Sequence, residues 1–199
     1  PRLNKRFIKI IGQLSTNIAA SIPLSGVVRG QIKAIYRFLS NIRVFFECIV
    51  RTEQSRLISS MAASSCDLYY HIQDTTTLNY TGQKGQTDLG CLTAIDQRGF
   101  LLHSSLILDN KERVEGILHQ TIWSRSEKDL GRSALKKSRY DESMPIEAKE
   151  NYRWIDHFEV FQSVMMGLPD RKGISISDAE SDFYELFLAK TAPNVDLIV

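Results

Sequence analysis

No run of about eighteen apolar residues occurs in this 199-residue chain, so the sequence offers no candidate transmembrane helix. The opening residues, Pro1-Arg2-Leu3-Asn4-Lys5-Arg6, lack the charged, apolar and small-residue succession of a secretory signal. A cytoplasmic protein is the expectation. Cysteine is scarce: Cys48, Cys66 and Cys91 are odd in number and widely spaced, which argues against a disulfide framework or a CxxC-type zinc site. The four histidines, His71, His103, His119 and His157, show neither HxxxH nor HExxH spacing and are expected on the surfaces of strands or helices rather than as ligands. Fixed-period repeats and low-complexity tracts are also missing.

What is present can fold. Hydrophobic residues make up 43% of the chain and charged residues 24%, enough apolar material for a core in one or two domains. The net charge of +2 hides a division. Residues 1–60 hold ten Lys/Arg against two acids, a net +8, while the rest holds fifteen basic against twenty-one acidic residues, a net −6. A basic N-terminal piece on an acidic body fits a nucleic-acid-contacting region joined to a metal-dependent core. A solvated basic face is the alternative.

Helical spacing dominates the basic piece. Phe7, Ile10, Ile11, Leu14 and Ile18 recur at three- and four-residue steps before Pro23 and Gly26 interrupt. A second helix follows, with Ile32, Ile35, Tyr36 and Leu39 on its apolar face. Arg29, Lys33 and Arg37 recur at four-residue steps on another stripe, an arrangement able to follow a phosphate backbone. A third helix is expected from about Val44 to Met61. The domain division expected is a helical, basic, DNA-binding region at 1–64 and an acidic body at 65–199, which the resemblance described below makes the catalytic core.

From Cys66 the period becomes two. Leu68, Tyr70 and Ile72 form an apolar stripe ending in Asp74, followed by a loop-like Thr75–Gly82. Leu89–Asp96 holds a possible short strand, Gln97–Gly99 reads as a turn, and Phe100–Leu108 and Val114–Trp123 form a meander around a turn at Asp109–Glu112. The polar stretch 124–147 reads as a long surface loop. Residues 148–166 return to helical spacing, with Trp154, Phe158, Phe161 and Met165 as a core stripe, and Gly167 and Pro169 as its end. A strand at Ile174–Asp178, a helix near Ser181–Lys190 and a strand at 195–199 complete the order.

Two strands thus finish apolar stripes with an aspartate, Asp74 and Asp178. A carboxylate continuing a buried face calls for a compensating cation or an exposed strand end. Side by side, the two acids would present hard oxygen donors to Mg2+ or Mn2+, the ions of phosphodiester cleavage and transfer. Capping of a loop or helix start explains the same aspartates equally well. Spacing alone leaves both readings open.

The segment Ile72-Gln73-Asp74-Thr75-Thr76-Thr77-Leu78-Asn79-Tyr80 resembles the first-aspartate segment of the transposon-five transposase and its insertion-sequence-four relatives. His103–Leu108 and Gly116–Arg125 are similar to that family's second and third strands. Ser177-Asp178-Ala179-Glu180-Ser181-Asp182 resembles its second-aspartate motif, Asp-Arg-Glu-Ala-Asp, with Ala179 in place of the arginine. Ala34–Asn41 is similar to its N-terminal DNA-binding helix. The resemblance implies an α/β, RNase H-like mixed sheet with flanking helices, preceded by a small helical DNA-binding domain. It further implies a DDE transposase acting on double-stranded DNA, transposon ends and target alike, as a homodimer at the bacterial nucleoid. Asp74 and Asp178 would be its metal-binding catalytic acids. The family's third acid lies in a Tyr-x-x-Arg-x-x-x-Glu helix, and none of the seven tyrosines here has Arg three positions later. Glu180 and Asp182 sit too close to Asp178 in the motif to replace it. With the missing initiator Met and the apolar ending Val195–Val199, the expectation is a truncated chain, inactive alone and of low stability. The alternative is a non-catalytic DNA-end-binding protein or inhibitor derived from a transposase.

Overall fold

The computed structural model describes residues 2–25, 28–83, 85, 89–127, 130 and 143–199. The chain packs as two units, Pro1–Ile49 and Val50–Val199. Much of the polar stretch, 128–129 and 131–142, lies outside the described residues, as does Gly26. Among those described, no helix is long and apolar enough to cross a membrane.

The first unit holds helices α1 (Arg2–Leu14) and α2 (Arg29–Leu39) and the start of α3 (Phe46–Ala63). Ile10, Ile35 and Phe38 form its core, edged by Leu3, Phe7, Leu14, Ile22 and Val44. Phe7 stacks on Phe38 at 5.8 Å. The periodic stripe overestimates α1, which stops at Leu14 and leaves Ile18 exposed. The hydroxyls of Ser15 and Thr16 donate to the carbonyls of Gly12 and Gln13, competing for the acceptors at the helix end. In α2 the buried residues are Ile35 and Phe38, with Tyr36 and Leu39 outside. The α2 entry is tied by Gln31, whose side-chain oxygen accepts from the Val28 N–H at 3.1 Å.

The second unit is a mixed sheet packed on helices. Its strands are β1 (Leu68–Asn79), β2 (Gly90–Cys91), β3 (Arg98–Leu108), β4 (Val114–Trp123), β5 (Lys172–Ile176) and β6 (Val195–Ile198). Strand β1 lies between antiparallel β3 and parallel β5, β6 adds parallel to β5, and β4 and the short β2 pair with β3. Antiparallel β4, β3 and β1, continued by parallel β5 and β6, make the expected mixed sheet with flanking helices. The parallel steps need crossovers, supplied by helices α4 (Tyr152–Met166) and α5 (Tyr184–Leu188).

The expected loop at Thr75–Gly82 is instead mostly strand, because β1 stays paired with β3 as far as Asn79↔Gly99. Three consecutive threonines, 75 to 77, suit that extended backbone. The expected turn at 97–99 shifts upstream, with Gln97 N–H bonded to the Ala94 carbonyl and β3 already begun at Arg98.

Helix α4 covers one face of the sheet through Trp154, Phe158, Phe161 and Met165, all fully buried. Each such side chain contributes roughly 1.5–3 kcal/mol by leaving water. Leu57, Met61, Tyr69, Ile107, Leu118, Leu186 and Val195 join the same core. Gly173 on β5 makes the close approach possible: a Cβ there would stand 2.6 Å from the Phe161 ring. Gly173→Ala is expected to destabilise this unit by about 1–3 kcal/mol through overpacking, read as a lower urea midpoint.

The buried face corrects the sequence reading. On β1 it is Tyr69, His71 and Gln73 that are buried, while Leu68 and Tyr70 are half-buried and Ile72 and Asp74 are exposed. Hydrophobicity misassigned the face because the buried one is partly polar: the Tyr69 hydroxyl, His71 Nδ1 and Gln73 Oε1 each find a hydrogen-bond partner inside the fold. Asp74 therefore does not continue a buried stripe, and the strand register places it instead.

Candidate functional site

The parallel pairing of β1 with β5 runs from Leu68↔Lys172 to Ile72↔Ile176. Asp74 and Asp178 each follow the last of these pairs by two residues, so both acids stand at the same end of adjacent parallel strands. Asp74 also pairs across β3 with Ser104, itself opposite Gln120 on β4. Both carboxylates are exposed.

Each is held by a local bond. The Asp74 Oδ1 accepts from the Thr75 N–H at 2.7 Å. The Asp178 Oδ1 accepts from the Glu180 N–H at 2.9 Å, capping the 3-10 turn Ala179–Ser181. The capping reading of Asp178 thus describes a bond that exists. One oxygen of that carboxylate remains outside this bond, so capping and metal coordination are compatible.

Arg153 of α4 reaches the residues beside both acids. Its Nε donates to Thr75 Oγ1 at 3.2 Å, one Nη donates to Glu180 Oε2 at 3.0 Å, and the other to the Glu150 carbonyl at 2.7 Å. Its guanidinium also lies 5.3 Å from the Trp123 ring and 5.4 Å from that of Trp154. With the Arg153 side chain only 5% exposed, these partners take the place of its water shell. Glu180 therefore answers Arg153, which leaves it poorly placed as a third metal-binding acid. Neighbouring Arg125 and Glu150 form a partly buried ion pair at 2.6 Å.

Behind the acids lies a polar layer that the sequence reading missed. His71, His103 and His157 are buried rather than on the surface, because each ring finds a hydroxyl partner inside. His71 Nδ1 meets Ser175 Oγ at 2.9 Å and its ring stacks on Phe161 at 4.5 Å. His103 Nδ1 meets Thr75 Oγ1 at 2.8 Å and its Nε2 meets Gln73 Oε1 at 3.2 Å. The Gln73 oxygen only accepts, so His103 carries its proton on Nε2 and accepts a hydrogen bond from the Thr75 hydroxyl at Nδ1. Burial, reinforced by neighbouring His103 and His119, holds His71 down at about 3. Burial, then Arg153 and His119, does the same for His103, also to about 3. His157 is lowered as well, first by burial and then by the surrounding imidazoles and Arg153. The signal available in sequence was the polar partners at the same strand parity: Gln73, Thr75, Ser105 and Ser175.

In the first unit, Arg29, Lys33 and Arg37 are exposed along α2, away from buried Ile35 and Phe38. A second basic feature was not singled out from sequence. Arg2, Leu3, Arg6, Asn41 and Arg43 line a cleft of about 320 Å³, with Asn41 Oδ1 accepting from the Arg43 N–H at 2.9 Å. The four-residue step from Arg2 to Arg6 is legible, but the return of Arg43 is tertiary. Three guanidinium groups around a cleft suit a phosphate.

Residues 1–44 match the family model described as "Transposase DNA-binding". No curated protein matches the chain. Among solved structures the chain is similar to "Crystal structure of a pre-cleavage Mos1 transpososome", at 10% identity and a TM-score of 0.31, over 96% of this chain and 57% of that one. The chain thus spans little more than half of that relative's length. A likeness at that score assigns no function.

Proposed function

We propose that this chain is a DNA transposase component that binds double-stranded DNA through its basic N-terminal region, 1–64, and carries two acids of a metal-dependent core at 65–199. The observation that carries this reading is the match of residues 1–44 to a transposase DNA-binding model, in the most basic part of the chain. The finer reading, a DDE enzyme of the transposon-five and insertion-sequence-four type acting at the bacterial nucleoid, rests on the Asp74 and Asp178 segments. Their register supports it.

Asp74 and Asp178 would hold the Mg2+ or Mn2+. Two exposed carboxylates at adjoining strand ends offer the hard oxygen donors these ions take. A bound divalent ion would supply activation of water and stabilisation of the leaving oxygen in strand cleavage and transfer. The chain's own part is positional. Arg153 fixes Thr75 and Glu180, the neighbours of the two acids, and the Glu180 N–H orients Asp178. With Glu180 engaged by Arg153, we assign this chain two metal-binding acids, and cleavage requires a further ligand. Dimerisation, as in the resembled family, would be one way to organise two DNA ends.

A non-catalytic DNA-end-binding protein or inhibitor is the second reading, favoured by the confinement of the family match to the N-terminal part. Both readings require DNA binding. Retention of labelled duplex DNA in a gel should weaken steeply as salt rises. Replacing Arg29, Lys33 and Arg37 together by Ala should weaken retention on every sequence and flatten the salt slope by about two to three phosphate contacts. Unchanged binding would remove α2 from the interface and direct attention to the Arg2, Arg6 and Arg43 cleft.

A further inference from the structure

We propose that His119, Asp156 and His157 bind a transition-metal dication of the zinc type, clipping β4 to α4. One potential ligand atom from each residue lies within 4.8 Å of the other two. His119 Nε2 and Asp156 Oδ2 are 3.3 Å apart. Bonds of 2.0–2.2 Å at tetrahedral angles place two ligand atoms about 3.3 Å from each other, so this pair already has the spacing of a zinc site. A hydrogen bond between His119 and Asp156 accounts for that contact alone. It leaves unexplained why a second imidazole, 4.4 Å from the His119 ring by centroid, completes the cluster.

His157 is oriented as a ligand. Its Nδ1 meets Ser105 Oγ at 2.6 Å and its Nε2 meets Thr121 Oγ1 at 3.0 Å. With the proton on Nδ1 and donated to Ser105, Nε2 keeps its lone pair, which at present accepts from the Thr121 hydroxyl. A metal-binding histidine characteristically has its other ring nitrogen held by such a partner, which sets tautomer and ring plane.

The donor set selects the ion class. Two imidazoles and one carboxylate suit zinc and its neighbours, whereas Mg2+ and Ca2+ favour all-oxygen sites. Three protein ligands leave a fourth position for water. Asp156 and Thr121 also line a cleft of about 330 Å³ together with Glu147, Glu150 and Tyr152, giving solvent and ion a route. The site is distinct from the aspartate pair, which it does not use, and it stands or falls independently of the transposase reading. Because the metal would bind the folded arrangement, its binding free energy adds to the stability of the second unit.

The test uses the whole chain, stripped with a chelator and then titrated with Co2+ as a spectroscopic probe. One equivalent should produce the visible absorption of four-coordinate Co2+, without a thiolate charge-transfer band, and Zn2+ should displace it and raise the melting temperature. His119→Gln and Asp156→Asn each keep a hydrogen-bonding side chain at a partly exposed position while removing a ligand. Each should weaken Co2+ binding by about tenfold or more, with the melting curve in chelator unchanged. An Asp74→Ala, Asp178→Ala variant should bind Co2+ as before. No absorption at one equivalent, or a spectrum that survives both His119→Gln and Asp156→Asn, overturns the proposal.

Discussion

Lowering the pH from 7 to 5 in the presence of a chelator is expected to destabilise the second unit by several kcal/mol. The cause is the buried histidine layer. His71 and His103 titrate at about 3 when folded, against about 6.5 in an unfolded chain. The sign follows from proton uptake. Below about 6.5 the unfolded chain gains protons at these imidazoles and the folded chain does not, so stability present above that pH is lost as pH falls towards 3. Each of the two contributes roughly 2 kcal/mol of loss by pH 5 on that linkage, and the lowered His157 adds to it. The groups facing them are Arg153, His119 and one another, all of which oppose a further positive charge. Urea unfolding followed by tryptophan fluorescence reads the change directly. Most carboxylates titrate below this window, which isolates the histidines. An unchanged urea midpoint between pH 7 and 5 would mean that these rings are solvated.

Arg153→Ala is expected to cost about 3 kcal/mol, since it strips a buried cation from partners arranged around it. Glu150 and Thr75 lose a donor inside the fold, while half-exposed Glu180 recovers part of its solvation from water. Arg153→Lys should recover only part of the loss, because one ammonium cannot span three acceptors lying in different directions. Both variants should release the Asp178 turn, visible as faster amide exchange at Glu180 and Ser181. Wild-type stability in Arg153→Ala would show that the three bonds are not made in solution. Loss of stability without faster exchange would confine Arg153 to the core and remove its positioning role.

Sequence periodicity located most elements of the second unit because their apolar content is uneven along the chain. Val114–Trp123 is strand over that whole span, and the α4 stripe of Trp154, Phe158, Phe161 and Met165 is the core of the sheet's covered face. The covered face of β1 was not legible, since Tyr69, His71 and Gln73 look less apolar than Leu68, Tyr70 and Ile72. Hydrogen bonds to Met61, Ser175 and His103 make the polar face buriable, and such partners are tertiary facts. The extension of β1 through Asn79 was hidden for a related reason. Thr75–Thr77 carry no apolar alternation, yet β3 pairs with every one of them. The two aspartates were legible as residues, but the buried stripe expected to end in Asp74 does not exist, since Ile72 and Asp74 are both exposed. The relation of Asp74 to Asp178 comes from the Ile72↔Ile176 register, and Arg153, which ties their neighbours together, carried no periodic signal that set it apart from Asp156 and Glu159 on the same helix.

The most direct test places the chain with labelled duplexes taken from the DNA flanking its own coding sequence, in Mn2+, beside an Asp74→Ala, Asp178→Ala variant. The account predicts salt-sensitive retention of the DNA by both proteins and cleavage by neither, because Asp74 and Asp178 are the metal-binding acids assigned to this chain. Cleavage by the unsubstituted chain that is lost in the variant would contradict the two-acid assignment and place a third ligand within these residues. Failure of both proteins to retain DNA at low salt would contradict the reading of the chain as a transposase component.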